Sequence, residues 1–167
     1  MQCEIRPFRE CDVQAVSTLI RRDLLEVNIR NYPLDDMRKL CEVFSPEHII
    51  EYSRQREMFV AEAEGQIVGT AALARDNRTT DEQYVALTVF VLPNFHGRGI
   101  GSMLMDRVEQ AAREKGAEVL RLPASFTAVE FYRRLGYTDD PGLSGPTDDV
   151  VHMIKALSTS ASVPPSS

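Results

Sequence analysis

The chain has 167 residues, 43% of them apolar and 26% charged, an ordinary composition for one globular domain. Its 19 Lys and Arg against 25 Asp and Glu leave a net charge of −6, so no broad basic field exists and nucleic acid is not an expected partner. No window approaches the ~20 apolar residues of a membrane span. The start, Met1-Gln2-Cys3-Glu4-Ile5-Arg6, lacks the apolar core of a signal peptide, so a cytoplasmic protein with no membrane partner is expected.

In chain order, Glu4 to Pro7 reads as a short edge strand, and Val13, Val16, Leu19, Ile20, Leu24 and Val27 then recur at helical spacing behind Asp12. Leu34, Met37, Leu40, Cys41 and Phe44 share the face of a second helix. Ser45-Pro46-Glu47 opens a third, with a capping serine and proline at its first position. Met58 to Ala63 and Ile67 to Ala74 form a hairpin across Glu64-Gly65-Gln66. A polar loop, Arg75 to Glu82, leads to Tyr84 to Leu92, predicted as a central, largely buried strand ending at Pro93.

Ile100, Met103, Leu104, Val108 and Ala111 define a long helix that Gly116 stops. Val119 to Leu122 is a further strand. Thr127-Ala128-Val129-Glu130 matches a capping box, with Phe126 and Phe131 as its hydrophobic staple, and predicts a helix over Ala128 to Leu135. An acidic loop runs to Asp149, Val150 to Ala156 is the last strand, and the Ser/Pro-rich stretch from Ser158 to Ser167 reads as a disordered tail. This order predicts one domain over residues 1–157, an α/β (α+β) fold with a mixed, mostly antiparallel sheet.

The cysteines Cys3, Cys11 and Cys41 are odd in number and contain no CxxC pair, which argues for reduced thiols and against a disulfide framework or a metal site. The informative segment is Val91-Leu92-Pro93-Asn94-Phe95-His96-Gly97-Arg98-Gly99-Ile100-Gly101-Ser102, where a strand passes through a glycine-rich turn directly into a helix. The first amides of a helix lack internal partners and carry partial positive charge, so such a turn makes a phosphate cradle, with Arg98 as a possible clamp. The alternative is that the glycines serve only tight packing. The spacing fits neither a G-x-G-x-x-G dinucleotide loop nor a Walker loop.

His96-Gly97-Arg98-Gly99-Ile100-Gly101 after Phe90-Val91-Leu92-Pro93 resembles the acetyl-CoA-binding motif of the GNAT superfamily of N-acetyltransferases. Ser125-Phe126-Thr127-Ala128-Val129-Glu130-Phe131-Tyr132-Arg133-Arg134-Leu135-Gly136-Tyr137 resembles the later helix of that family. The resemblance implies a splayed central strand pair with helices on both faces of the sheet, and acetyl-CoA as co-substrate without a metal. It assigns Val89, Phe90 and Val91 to the pantetheine and acetyl group. His96, Gly97, Arg98, Gly99, Ile100, Gly101 and Ser102 fall at the pyrophosphate, and Ser125 stands where many members carry an asparagine.

Tyr132 matches the family position for a general acid near the coenzyme sulfur, although helical periodicity alone would also allow a core tyrosine. His96 replaces the usual Gln or Arg and would add a pH-dependent phosphate contact. Several members use a strand glutamate as base, whereas Val85 to Val89 and Val119 to Leu122 contain no carboxylate. The proton would then leave through water to Asp81 or Glu82, or the acceptor would be a weakly basic amine.

The expected partner is a small-molecule or peptide amine, and the expected assembly a monomer or homodimer. The resemblance implies that the helical segment from Asn28 through Tyr52 forms the acceptor wall, with Asn28, Asn31, Tyr32 and Tyr52 as polar candidates. Asp139, Asp140, Asp148 and Asp149 form either a solvated turn or a field that attracts a cationic amine. A non-catalytic acyl-CoA sensor or interaction module on the same fold, and a transferase of longer acyl chains, are the alternatives.

Overall fold

The computed structural model describes residues 2–77, 83–142 and 149–157. In chain order these form β1 (Cys3–Pro7), α1 (Val13–Glu26), α2 (Leu34–Val43), α3 (Pro46–Gln55), β2 (Glu57–Ala63), β3 (Gln66–Arg75) and β4 (Tyr84–Val91). Then follow α4 (Ile100–Glu114), β5 (Val119–Ser125), α5 (Val129–Arg134), β6 (Thr138–Asp139) and β7 (Val150–Ala156). The strands make one sheet in the order β1-β2-β3-β4-β5-β7-β6. Its one parallel pair is β4 with β5, and the other pairs are antiparallel. Helices cover both faces, with α1 and α4 both packed on β3 and β4.

Local chemistry accounts for most of these elements. The β2–β3 hairpin turns on Glu64 and Gly65, both at positive φ (53° and 75°), while Ala63 pairs with Gln66. That is the geometry whose twist matches two antiparallel strands. Ser45 caps α3 by accepting from the His48 amide, with Pro46 at the first helical position. Gly69 in β3 answers a packing demand: a Cβ there would lie 2.9 Å from Leu104 Cδ1, so glycine lets α4 settle on the sheet.

The structure departs from the sequence reading at several places. The capping box does not form: α5 begins at Val129 behind Ala128, with no side-chain cap. Thr127 Oγ1 donates instead to Asn31 Oδ1 at 2.9 Å, and Phe126 stacks on Tyr32 rather than acting as a staple. A tertiary contact has taken both residues of the local motif. In β4 only Val85 and Ala86 are buried, and Leu87 to Val91 are half-buried, because that half of the strand faces a cleft. β5 runs through Pro123 to Ser125, and the short β6 lies within the predicted acidic loop. Residues 158–167, read as a tail, fall outside the described residues.

Candidate functional site

The site begins where two neighbouring strands separate. β4 and β5 register only at Val85 and Arg121, so from there to Val91 one backbone edge of β4 has no strand partner among the described residues. Such an edge can pair with an extended ligand arm. On the other edge, Thr70 pairs with Phe90 but Ala72 with Leu87, so Ala71 faces both Thr88 and Val89. This bulge puts Thr88 at a φ of 56°, a strained conformation for a β-branched residue. The Arg56 guanidinium donates to Thr88 Oγ1 at 2.7 Å and holds the bulge from the side.

The gap opens into a cleft of about 1160 Å³ lined by Val89, Phe90, Val91, Gly97, Gly99, Ile100, Gly101, Ser102, Ser125 and Tyr132, among others. Gly99 is the N-cap of α4 at a φ of 81°, and the first turn carries no acidic side chain. The first hydrogen bond inside α4 runs from Met103 N to Gly99 O, leaving the preceding amides of Ile100, Gly101 and Ser102 for an outside acceptor. At Gly97 and Gly99 a Cβ would meet nothing within 4 Å, so positive φ and open approach are what glycine supplies there. Gly101 is different: its Cβ would stand 2.9 Å from Phe131 Cζ, so this glycine serves packing. The glycines of the turn thus divide: Gly97 and Gly99 leave the backbone open, and Gly101 is closed by packing.

Two predicted side-chain roles do not match the geometry. Arg98 is absent from the cleft lining, and its guanidinium lies 4.8 Å from the centre of the Phe95 ring. His96 lines the cleft, but its ring is engaged elsewhere: Nε2 is 2.8 Å from the Val91 carbonyl oxygen and 3.2 Å from Asp23 Oδ1. Both neighbours are acceptors, so the hydrogen sits on Nε2, aimed at Val91, and Nδ1 is the nitrogen left to take a proton. The Asp23 carboxylate raises the His96 pKa above its usual value, against the opposing effect of partial burial.

Asp23 is the residue the sequence reading missed. It lies on α1, 8% exposed, with Oδ1 buried and without a well-formed hydrogen bond, and it lines the cleft. Its signal was available: Asp23 follows Leu19 by four and Ile20 by three, a carboxylate on the apolar face of an amphipathic helix. Tyr132 is 5% exposed and belongs to the core cluster as well as to the cleft wall, so the core position that the periodicity allowed does not remove it from the cleft. Burial, and secondarily the charge of Asp23, push its phenol well above the ordinary tyrosine range. It therefore stays protonated. Tyr137, just beyond the end of α5, is a purely internal residue whose hydroxyl donates to Glu109 at 2.8 Å.

The opposite wall comes from α1, α2 and α3. Asn28, Tyr32 and Tyr52 line it, whereas Asn31 is spent on Thr127. Tyr32 ties the wall to the far side: its hydroxyl donates to the Asp149 carbonyl at 2.5 Å, accepts from the Phe126 amide at 2.9 Å, and its ring stacks on Phe126. The acidic stretch is largely neutralised. Asp140 is 5% exposed and paired with Arg121 at 2.8 Å, Asp139 faces Arg133 at 3.5 Å, and Asp149 alone of the four acids lines the cleft among the described residues. Asp148, and the base candidates Asp81 and Glu82, lie outside the described residues. Ser125 forms no cap with its hydroxyl. It ends β5 on the cleft wall.

The donor set fits a coenzyme A thioester: a row of unpaired helix amides at one end, an unpaired strand edge in the middle and a protonated phenol beyond. Among the described residues no group of three or more His, Cys, Asp or Glu could hold a metal ion. Several solved structures share the fold. A PaiA N-acetyltransferase from Thermoplasma acidophilum, in complex with coenzyme A, superposes with a TM-score of 0.80 at 19% identity, covering 93% of this chain and 99% of that one. A GCN5-related N-acetyltransferase from Rhodopseudomonas palustris gives 0.79 at 19% identity, with coverage of 94% and 97%. Ard1 from Thermoplasma volcanium gives 0.71 at 21%, with coverage of 95% and 99%. The family model for the acetyltransferase (GNAT) domain matches residues 54–139, just over half of the chain, spanning the hairpin, the splayed strand, the cradle and the tyrosine helix. The chain belongs to the GNAT acetyltransferase family.

Proposed function

We propose that residues 1–157 form a single cytoplasmic N-acetyltransferase domain that moves an acetyl group directly from acetyl-CoA to a primary amine. The observation that carries this reading is the one cleft that joins the α4 amides, the open β4 edge and the Tyr132 phenol. When bound, acetyl-CoA supplies the acetyl thioester. The residues of the chain then bind, orient and move protons.

Amides of Ile100, Gly101 and Ser102 hold the pyrophosphate, and the edge of β4 from Val89 to Val91 aligns the pantetheine. A backbone amide at the Thr88–Val89 bulge, where the register with β3 shifts, donates to the oxygen on which negative charge develops as nitrogen attacks the acetyl carbon. The C–S bond breaks as the C–N bond forms, and Tyr132 donates a hydrogen bond or proton to the departing sulfur. Full transfer from a phenol of ordinary pKa ~10 to a thiolate of ~8.5 is already uphill by about 2 kcal/mol, and the raised pKa of Tyr132 makes it steeper, so hydrogen bonding is the larger share. Asp23 receives the acceptor's ammonium at the cleft, and its proton passes through water to His96 Nδ1 and on to solvent. The coenzyme thiol, the acetamide and one released proton balance the reaction.

Release of free thiol from acetyl-CoA across polyamines, amino acids, aminoglycosides and lysine or N-terminal peptides tests the proposal. Turnover with at least one class, falling in the Tyr132→Phe variant, supports it. Tight acetyl-CoA binding with no amine-dependent release across the panel would favour a sensor of acyl-CoA instead. Faster release from longer acyl-CoA esters than from acetyl-CoA would redefine the donor.

A further inference from the structure

Arg56 is left over from the chemistry above. It sits at the junction of α3 and β2, half-buried on the acceptor wall of the cleft. One of its nitrogens donates to Thr88 Oγ1 at 2.7 Å, and its guanidinium carbon lies over Tyr52, 4.3 Å from the ring centre. No described residue forms an ion pair with it. A guanidinium has five N–H donors and keeps its charge in any protein environment. Holding one part-desolvated, fixed at two points and without a counter-ion among the described residues, is costly unless something anionic completes it.

The pyrophosphate cannot be that anion. Thr88 lies three residues inside the end of β4, about 10 Å of strand before the cradle loop even begins. The neighbouring surface is aromatic. Phe44 meets Tyr52 edge-on at 6.2 Å and Phe90 at 5.6 Å, so an apolar wall runs from Arg56 to the catalytic strand. Leu40 and Val43 extend it.

From this juxtaposition we infer that Arg56 is a specificity residue that binds the carboxylate of the acceptor, which is an α-amino acid with an apolar side chain. The short separation follows from position: Arg56 touches Thr88, the direct neighbour of Val89, so a carboxylate held there lies within a residue's length of the point of attack. An α-carboxylate spans that distance, whereas the carboxylate of a long ω-amino acid would not. Arg56 supplies the paired donors for the carboxylate, Asp23 faces the ammonium, and the aromatic wall takes the side chain. The inference rests on the acetyl-transfer reading and narrows its acceptor.

The test compares matched acceptors at equal concentrations of unprotonated amine: phenylalanine with phenylalaninamide and phenethylamine, and leucine with leucinamide and 3-methylbutylamine. The expected result is a kcat/KM at least tenfold higher for the acids. In Arg56→Gln the ratio collapses to within twofold of one, and in Arg56→Lys it is intermediate because the charge survives without the planar fork. The acetyl-CoA dissociation constant, read by calorimetry, stays within twofold in both variants. Amides or amines used as well as the acids by the wild-type chain would overturn the inference while leaving acetyl transfer intact. So would a loss in Arg56→Gln that falls on acetyl-CoA binding, which would place the guanidinium on the coenzyme.

If no acceptor turns over, binding of N-acetylphenylalanine and N-acetylphenethylamine to the CoA-loaded protein decides the matter. Preference for the acid sustains the anion site, and equal or absent binding removes it. Whether acetyl-CoA binds at all reports separately on the underlying reading.

Discussion

In the proposed mechanism, Tyr132 and Asp23 divide the proton chemistry by environment. A buried phenol beside a carboxylate is held protonated, so Tyr132 can serve as a donor and not as a base, and its removal should appear in turnover rather than in coenzyme affinity. Tyr132→Phe is expected to lower kcat by about 10- to 100-fold, at the weak end of acid–base effects because hydrogen bonding dominates, with the acetyl-CoA dissociation constant within twofold. Equal losses in both would make it a packing residue. In the same proposal His96 carries the pH dependence. Its pKa is raised by Asp23, and a protonated ring cannot accept the acceptor's proton, so kcat/KM should rise with pH through an inflection above 6.5. Asp23→Asn removes the raising charge, and the inflection should move to lower pH as the rate falls. An unmoved inflection would detach the dyad from the profile. The same shift carries a stability sign: a raised folded pKa contributes below the unfolded value near 6.5 and is lost as pH rises through the folded one. The thermal midpoint of Asp23→Asn should therefore lie closest to wild type at alkaline pH.

At the scale of elements, the junction of α4 with α5 sets how well the cradle is formed. Gly101→Ala pushes a methyl to 2.9 Å from Phe131 and is expected to cost about 1–3 kcal/mol by urea denaturation. Adding Phe131→Leu should restore part of that loss, because the clash is with the ring and not with the backbone. No recovery would mean that the helix start itself cannot accept a side chain. What the sequence revealed of these elements follows from where their causes lie. α4 and the β2–β3 hairpin were legible because helical spacing, Gly116 and the Glu64-Gly65 turn are local signals. The Thr127 cap misled because its hydroxyl found Asn31, 96 residues away in sequence. The β4 bulge left no local mark. Thr88 is a good strand residue by type, and only the Arg56 bond and the shifted register with β3 disclose its role.

For the whole molecule, the wall behind the site is pinned by a buried charge. Glu109 of α4, 2% exposed, receives the Tyr137 hydroxyl at 2.8 Å and Lys155 of β7 at 3.0 Å, so the helix that carries the cradle is tied to the far strands. Tyr137→Phe should destabilise by about 1 kcal/mol and Lys155→Met by about 2–4 kcal/mol, read from urea midpoints. Near-neutral values would show that Arg113, 3.6 Å from Glu109, suffices alone. The candidate site was legible in the same uneven way. The cradle and Tyr132 belong to contiguous motifs, whereas Asp23 and Arg56 reach the cleft from segments far upstream of both. Their meaning depends on tertiary placement.

The most direct test of the central claim is a titration of acetyl-CoA into isotopically labelled protein, followed through backbone amide resonances. The account expects the largest shifts at Val89, Val91 and Gly97 through Ser102, with smaller ones at Asp23 and Tyr132. Shifts confined to another surface, such as the shallow depression around Thr18, Arg21 and Cys41, would contradict it and separate the coenzyme from the cleft on which every step here depends.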